Sequence, residues 1–136
     1  MVDPDVLRAK TTAVRHHVAR IRRRLPLSAD TLDADEDLRD ILLLNLQQAI
    51  QGCIDLAIHV CADENLGPAE NPAAAFALLA GAGRIPADLS LRLASASGLR
   101  NLIVHRYGDL RTSQIVEGLD RDLADLERFV ALFWRP

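Results

Sequence analysis

Four polar residues stand close together late in the chain. They are Arg100, Asn101, His105 and Tyr107, in the run Arg-Asn-Leu-Ile-Val-His-Arg-Tyr that leads into Gly108. On a helix turning about 100° per residue, Asn101 and His105 share a face one turn apart. Arg100 precedes His105 by five residues, so the two point about 140° apart. They converge only if the long arginine sweeps round the helix, or if the last turn before Gly108 distorts. A guanidinium, an amide and an imidazole near one point suit an anionic substrate, with the imidazole moving protons. Singly, each has a plainer role: a histidine in a last turn caps the helix, an arginine pairs on the surface, and a tyrosine packs.

The elements that must position this run are helices. The first is expected from about Asp3 to Leu25, with Pro4 in its first turn and Leu7, Val14, Val18, Ile21 and Leu25 as one buried stripe. Arg8, Arg15 and Arg22 form a second row on it, and His16, Arg20 and Arg24 a third, either a solvated face or an electrostatic guide. An acid-rich loop from Asp30 to Asp37 should lead into the second helix, about Asp37 to Cys61, where acids suit the positive end of the dipole. Its stripe is Leu38, Leu42, Leu46, Ala49, Cys53, Leu56 and Val60, widened by Ile41, Leu44, Ile50, Ile54, Ala57 and Ile58. So broad an apolar surface belongs to a helix that is central in a bundle or also covered by a second subunit.

Gln47, Gln51, Asp55 and His59 recur every fourth position on that helix, as an exposed edge or a cleft wall. Asp55 is the member of interest: its carboxylate could orient Arg100 or a histidine, or simply pair with His59 one turn on. Asn71-Pro72 should cap and start a short alanine-rich helix that stops near Gly81 and Gly83. Ile85-Pro86 opens the helix that carries the polar run, with Leu89, Leu93, Ala96, Leu99 and Ile103 facing the core. Its Ser95, Ser97 and Gly98 are small enough for close approach by another helix or a substrate. The last helix begins near Thr112, with Val116, Leu119, Leu123, Leu126, Val130 and Phe133 inward. The expected fold is an all-α bundle of four main helices plus one short one, in a single domain over 1–136.

Bulk properties narrow the function. The 49% hydrophobic content excludes a wholly disordered chain. No basic, apolar leader begins the sequence, and the stretch Ala73 to Gly83 is short of the about 18 apolar residues of a membrane span. A cytoplasmic protein without membrane contact is expected. Cys53 and Cys61 on one helix would lie about 12 Å apart, too far for a disulfide. Neither they nor His59 make a credible metal site, and no metal or cofactor is expected. Net charge is −3, but residues 1–25 carry a balance of +5 and residues 92–111 one of +3, against −9 over residues 26–91. Phosphate contacts are local, so the acidic average does not exclude RNA.

The run Ser97-Gly98-Leu99-Arg100-Asn101 with Val104-His105-Arg106-Tyr107 closely resembles the Arg-X4-His-X-Tyr signature of HEPN domains. Together with the earlier Ala49-Ile50-Gln51-Gly52-Cys53-Ile54-Asp55-Leu56-Ala57, it is similar to the HepT branch, the toxins of type VII-like HepT/MntA toxin–antitoxin systems. The resemblance implies a HEPN-type helical bundle and a metal-independent endoribonuclease acting on RNA, tRNA or mRNA, at a homodimer cleft. It makes Arg100 and His105 catalytic, and the reading of the residues adds Asn101 and Asp55 as supporting ones. The resemblance also makes Tyr107 the residue to which a cognate MNT-type nucleotidyltransferase antitoxin attaches AMP. The chemistry suits these residues, since RNA carries its own nucleophile in the 2′-OH, and cleavage needs proton transfer and charge stabilisation. Two other readings stand beside it: a non-catalytic HEPN nucleotide-binding or scaffold subunit partnering a nucleotidyltransferase, and a purely structural helical dimer.

Overall fold

The computed structural model describes residues 3–134. Helix α1 runs Pro4–Arg22, capped by the Asp3 carboxylate, which accepts from the Asp5 amide at 2.8 Å. Its last turn loosens through Arg24 and Leu25, because Pro26 cannot donate and disfavours helix in the residue before it. The helix therefore stops short of Leu25, which is half-buried, whereas Leu7, Val14, Val18 and Ile21 are buried as the spacing requires.

The acid-rich segment is not all loop. Ala29–Ala34 forms a short helix, α2, started by the Ser28 hydroxyl, which accepts from the Thr31 amide at 3.1 Å. Leu32, 1% exposed, pins it to the core. One apolar residue in a run of acids gives no periodicity to read, so only the serine cap signals this helix. Asp35 then ends α2 and caps α3, Glu36–Asp63, through a bond from the Leu38 amide at 3.0 Å.

Helix α3 is the axis of the bundle and touches every other helix. Gly52 lets α1 come close: a Cβ there would sit 2.6 Å from Cγ2 of Val14. By length and hydropathy α3 also passes as a membrane span, yet 56% of its apolar window is buried within the bundle, as a core helix requires. Its central stripe is buried from Leu42 to Val60, with Leu38 half-buried, but Leu44 and Ile58 remain 55% and 41% exposed.

Helix α4, Pro72–Gly81, is capped by Asn71, which accepts from the Ala74 amide at 2.8 Å. It brings Phe76 edge-on to Phe129 of the last helix, with the Phe133 ring tilted beyond at 5.0 Å from Phe129. The turn after it uses Gly83 at φ 74°, a left-handed position that suits glycine. Helix α5, Ala87–His105, carries the polar run, and α6, Thr112–Phe133, closes the bundle. On α6 the expected stripe is buried except for half-buried Val116, and Ile115 and Phe129 join it. Trp134 lies under the Arg15 guanidinium, 5.3 Å from its ring centre. Thus a row of arginines on α1 serves the fold: Arg8 pairs with Asp5 at 2.9 Å, Arg15 covers Trp134, and Arg22 binds Glu127 of α6 at 2.5 Å.

Candidate functional site

The end of α5 differs from the expectation in one respect. The helix stops at His105, not at Gly108, because Arg106 leaves helical geometry at φ −137°, ψ 45°. Residues Tyr107–Asp109 then form a 3-10 turn, closed by the Asp109 amide on the Arg106 carbonyl and by an Arg106–Asp109 ion pair at 2.7 Å. Gly108 sits inside this turn without a left-handed φ. The break turns Tyr107 off the axis of α5 and across to α3.

There the Tyr107 hydroxyl donates to Asp40 Oδ1 at 2.8 Å, a contact between residues 67 positions apart. The Arg39 guanidinium lies 5.7 Å from the centre of the Tyr107 ring. The phenol remains 43% exposed. Its hydrogen bond to the Asp40 carboxylate, aided by partial burial, raises its pKa, and the nearby Arg39 charge opposes the shift. One step further, the Thr112 hydroxyl donates to Asp33 of α2 at 2.8 Å, so the whole α5–α6 connection is fastened to the α2–α3 corner.

Arg100 leans toward its neighbour Asn101 and makes no hydrogen bond to His105 among the described residues. The last turn of α5 stays regular, and Arg100 Nη1 donates to Asn101 Oδ1 at 3.1 Å. This brings the guanidinium to the amide that stands one turn before His105 on the same face. Arg100 Nε is buried and has no hydrogen-bond partner among the described residues. His105 is exposed, and its side chain has no hydrogen bond or ion pair among those residues. Around them, Ser95 and Gly98 are exposed, and a Cβ at Gly98 would meet nothing within 4 Å. Leu91, 72% exposed, and Val104, 39% exposed, also face outward on α5.

Asp55 lies on the exposed edge of α3 and accepts from Gln51 at 2.8 Å, with neither Arg100 nor His59 as its partner. Cys53 and Cys61 are free and buried, and burial pushes both thiols up. Arg39 and Asp40 escaped the reading of the sequence. Two charged residues in the first turns of a helix look like solvated surface, and nothing local announces a contact with Tyr107.

Three comparisons with known proteins agree. Residues 14–133 match the family described as Ribonuclease HepT-like. The chain is 31% identical over 126 residues to the mRNA nuclease HepT of Shewanella oneidensis, covering 93% of this chain and 94% of that one. Among solved structures, it matches the tri-AMPylated HEPN toxin of Shewanella oneidensis in complex with MNT antitoxin. That match has a TM-score of 0.86 and 30% identity, and covers 97% of both chains. A toxin–antitoxin structure with AMP-PNP is similar at a TM-score of 0.87 and 29% identity, covering 98% and 99%.

Proposed function

The chain belongs to the HepT-like ribonuclease family, and from that premise we propose that it is the metal-independent endoribonuclease toxin of a type VII-like toxin–antitoxin pair. Its setting would be the cytoplasm, where RNA, ATP and the antitoxin meet, and the whole of 1–136 would act as one domain. The observation that carries this reading is Arg100. Its buried Nε has no partner among the described residues, its Nη1 holds Asn101, and an exposed His105 stands one turn beyond that asparagine. A buried guanidinium donor without an acceptor loses free energy, and an arriving phosphate restores it.

In the proposed step the substrate's own 2′-oxygen attacks the adjacent phosphorus. Arg100 pairs with the non-bridging oxygens as charge gathers on them, and Asn101 keeps the guanidinium beside the imidazole. One proton leaves the 2′-OH and one reaches the departing 5′-oxygen, giving a 2′,3′-cyclic phosphate and a 5′-hydroxyl. Each chain has one motif histidine for these two proton transfers, so the complete site is a homodimer with two copies of His105 in one cleft. Exposed Leu44 and Ile58 on α3, with Leu91 and Val104 on α5, supply apolar surface for that contact. Asp55, on the same edge of α3, stands where a partner subunit's charges would reach it.

Control is proposed to act at Tyr107. A nucleotidyltransferase antitoxin would place AMP on its exposed hydroxyl, adding negative charge and bulk beside the cleft that RNA must enter. The test is RNA cleavage by the unmodified protein in EDTA, with product ends identified. Cyclic phosphate ends are expected, and so is silencing after incubation with the antitoxin and ATP. Loss of activity in EDTA, or 5′-phosphate products, would replace this mechanism with a metal nuclease, and no cleavage at all would favour the non-catalytic HEPN subunit.

A further inference from the structure

Among the described residues, two buried side-chain donors lack any hydrogen-bond partner, Nε of Arg100 and Nε of Arg39. The first belongs to the proposed cleavage site. The second lies on α3, in the guanidinium that covers the Tyr107 ring, and its neighbour Asp40 accepts the Tyr107 hydrogen bond. An aspartate alone would suffice to tether a tyrosine. A cation beside it, with a donor left over, gives the corner both groups that a transfer to the phenol needs.

We propose that Arg39 and Asp40 form the receiving pair for modification of Tyr107: Asp40 takes the phenolic proton, and Arg39 binds the phosphate that arrives. The proposal rests on reading Tyr107 as the modified residue. The co-reactant is a nucleoside triphosphate held by the antitoxin. The phenolic oxygen forms a bond to the α-phosphorus, the bond from that phosphorus to the α–β bridging oxygen breaks, and pyrophosphate leaves. The phenolic proton passes to Asp40, which releases it to solvent, so the net products are adenylyl-tyrosine, pyrophosphate and one proton.

The two residues act in sequence. Before transfer, Asp40 holds the phenol in its protonated form and fixes the direction of the oxygen. As the new bond forms, the phenol becomes strongly acidic, and an acceptor at 2.8 Å takes the proton without rearrangement. Afterwards the phosphodiester has lost the hydrogen that bound Asp40 and carries a charge that Asp40 repels. Arg39, already against the ring, is the adjacent cation with a free donor. Modification thus exchanges a Tyr107–Asp40 contact for a phosphate–Arg39 contact and leaves Tyr107 attached to α3 in both states.

Tyr107 is the single tyrosine of the chain, so its ionisation and its modification can each be read without interference from another. In the full-length protein, Asp40→Asn keeps an oxygen acceptor but cannot take a proton. It should lower the tyrosinate titration midpoint, while Arg39→Gln should raise it. With cognate nucleotidyltransferase and ATP, followed by intact mass, Asp40→Asn should slow AMP gain about 10²-fold in kcat with KM little changed. Asp40→Glu should recover part of that rate. AMP addition should raise the Tm of the wild type, and Arg39→Gln should abolish that rise. Melting curves of the unmodified variants verify folding. Wild-type rates of AMP gain in both Asp40→Asn and Arg39→Gln would overturn the proposal. A wild type that gains no AMP, with titration shifts as expected, would overturn the modification reading, and the pair's role in transfer would fall with it.

Discussion

The two halves of α5 use the same residue type in opposite ways. In the first half, Arg92 donates through Nε to both carboxylate oxygens of Asp125 at 3.0 Å and through Nη2 to Asp88 at 3.0 Å. Arg128 of α6 reaches the same Asp88 at 3.2 Å, so two arginines and two aspartates close on one another. Asp125 is only 7% exposed and would be costly to bury without this network. In the second half, Arg100 has a neutral amide for a partner and a buried Nε with none among the described residues. An unsatisfied buried donor typically costs about 1–3 kcal/mol, which a fold selected for stability alone would remove with one nearby acceptor. The first half of α5 holds the bundle together, and the second half presents groups the bundle does not need.

The sharpest way to break this comparison is to remove the open half. Arg100→Ala and His105→Ala should each lower RNA cleavage by about 10²–10⁴-fold, the range for losing a charge-stabilising donor or a proton-transfer group. Both should leave Tm unchanged or slightly raised, since neither side chain makes a contact that holds the fold. Cleavage rates of purified variants beside their melting curves check it. A large fall in Tm with either substitution would mean that the run serves the bundle, and the division of α5 would be lost.

The next effect concerns the core under the closed half. Leu93, 1% exposed, sits beside Arg92 on α5 and faces inward. Leu93→Ala should cost about 2–5 kcal/mol by transfer and cavity terms, measured by denaturant unfolding. Arg92→Ala should lower Tm by a few degrees, because it removes the Nε–H that the two Asp125 carboxylate oxygens share. In both variants, cleavage per folded molecule should stay near wild type.

How much of this was legible beforehand follows the range of each interaction. The stripes of α1, α3, α5 and α6 were readable, because burial of every third or fourth residue leaves a local period. So was the start of α4, since Asn71 and Pro72 act within one turn of themselves. Helix geometry alone gave two routes by which Arg100 could meet His105; the last turn stays regular, and Arg100 bonds to Asn101, with no hydrogen bond to His105 among the described residues. Two features were not readable. The break at Arg106 carries no glycine or proline signal, and Gly108, the obvious stop, lies inside the turn that follows. The Tyr107–Asp40 bond joins positions 67 apart, so it follows from how α5 packs on α3, which no local pattern encodes.

The smallest effect is a pH dependence on α6. Asp122 lies one turn before Asp125, and burial pushes its carboxyl above the ordinary aspartate range. The Arg121 charge opposes the shift and the Asp125 charge adds to it. A raised pKa means that the fold favours the protonated form. The resulting stability is fully present below the unfolded value of about 4 and is lost as pH rises through the folded value. At neutral pH the ionised Asp122 is therefore a small liability. Asp122→Asn should raise stability at pH 7, by under about 1 kcal/mol for a single site of this kind. The gain should shrink as pH falls below about 4, where the wild-type carboxyl is protonated in both states. The comparison within α5 adds a second condition. Arg92 binds the Asp125 charge, so Arg92→Ala exposes Asp122 to more of it, and the benefit of Asp122→Asn should be larger in that background. Thermal melts of the four proteins of this cycle, at neutral and acid pH, measure both effects. Equal gains with and without Arg92 would show that the network screens Asp125 from nothing on its own helix, and the closed half of α5 would then be a set of separate pairs.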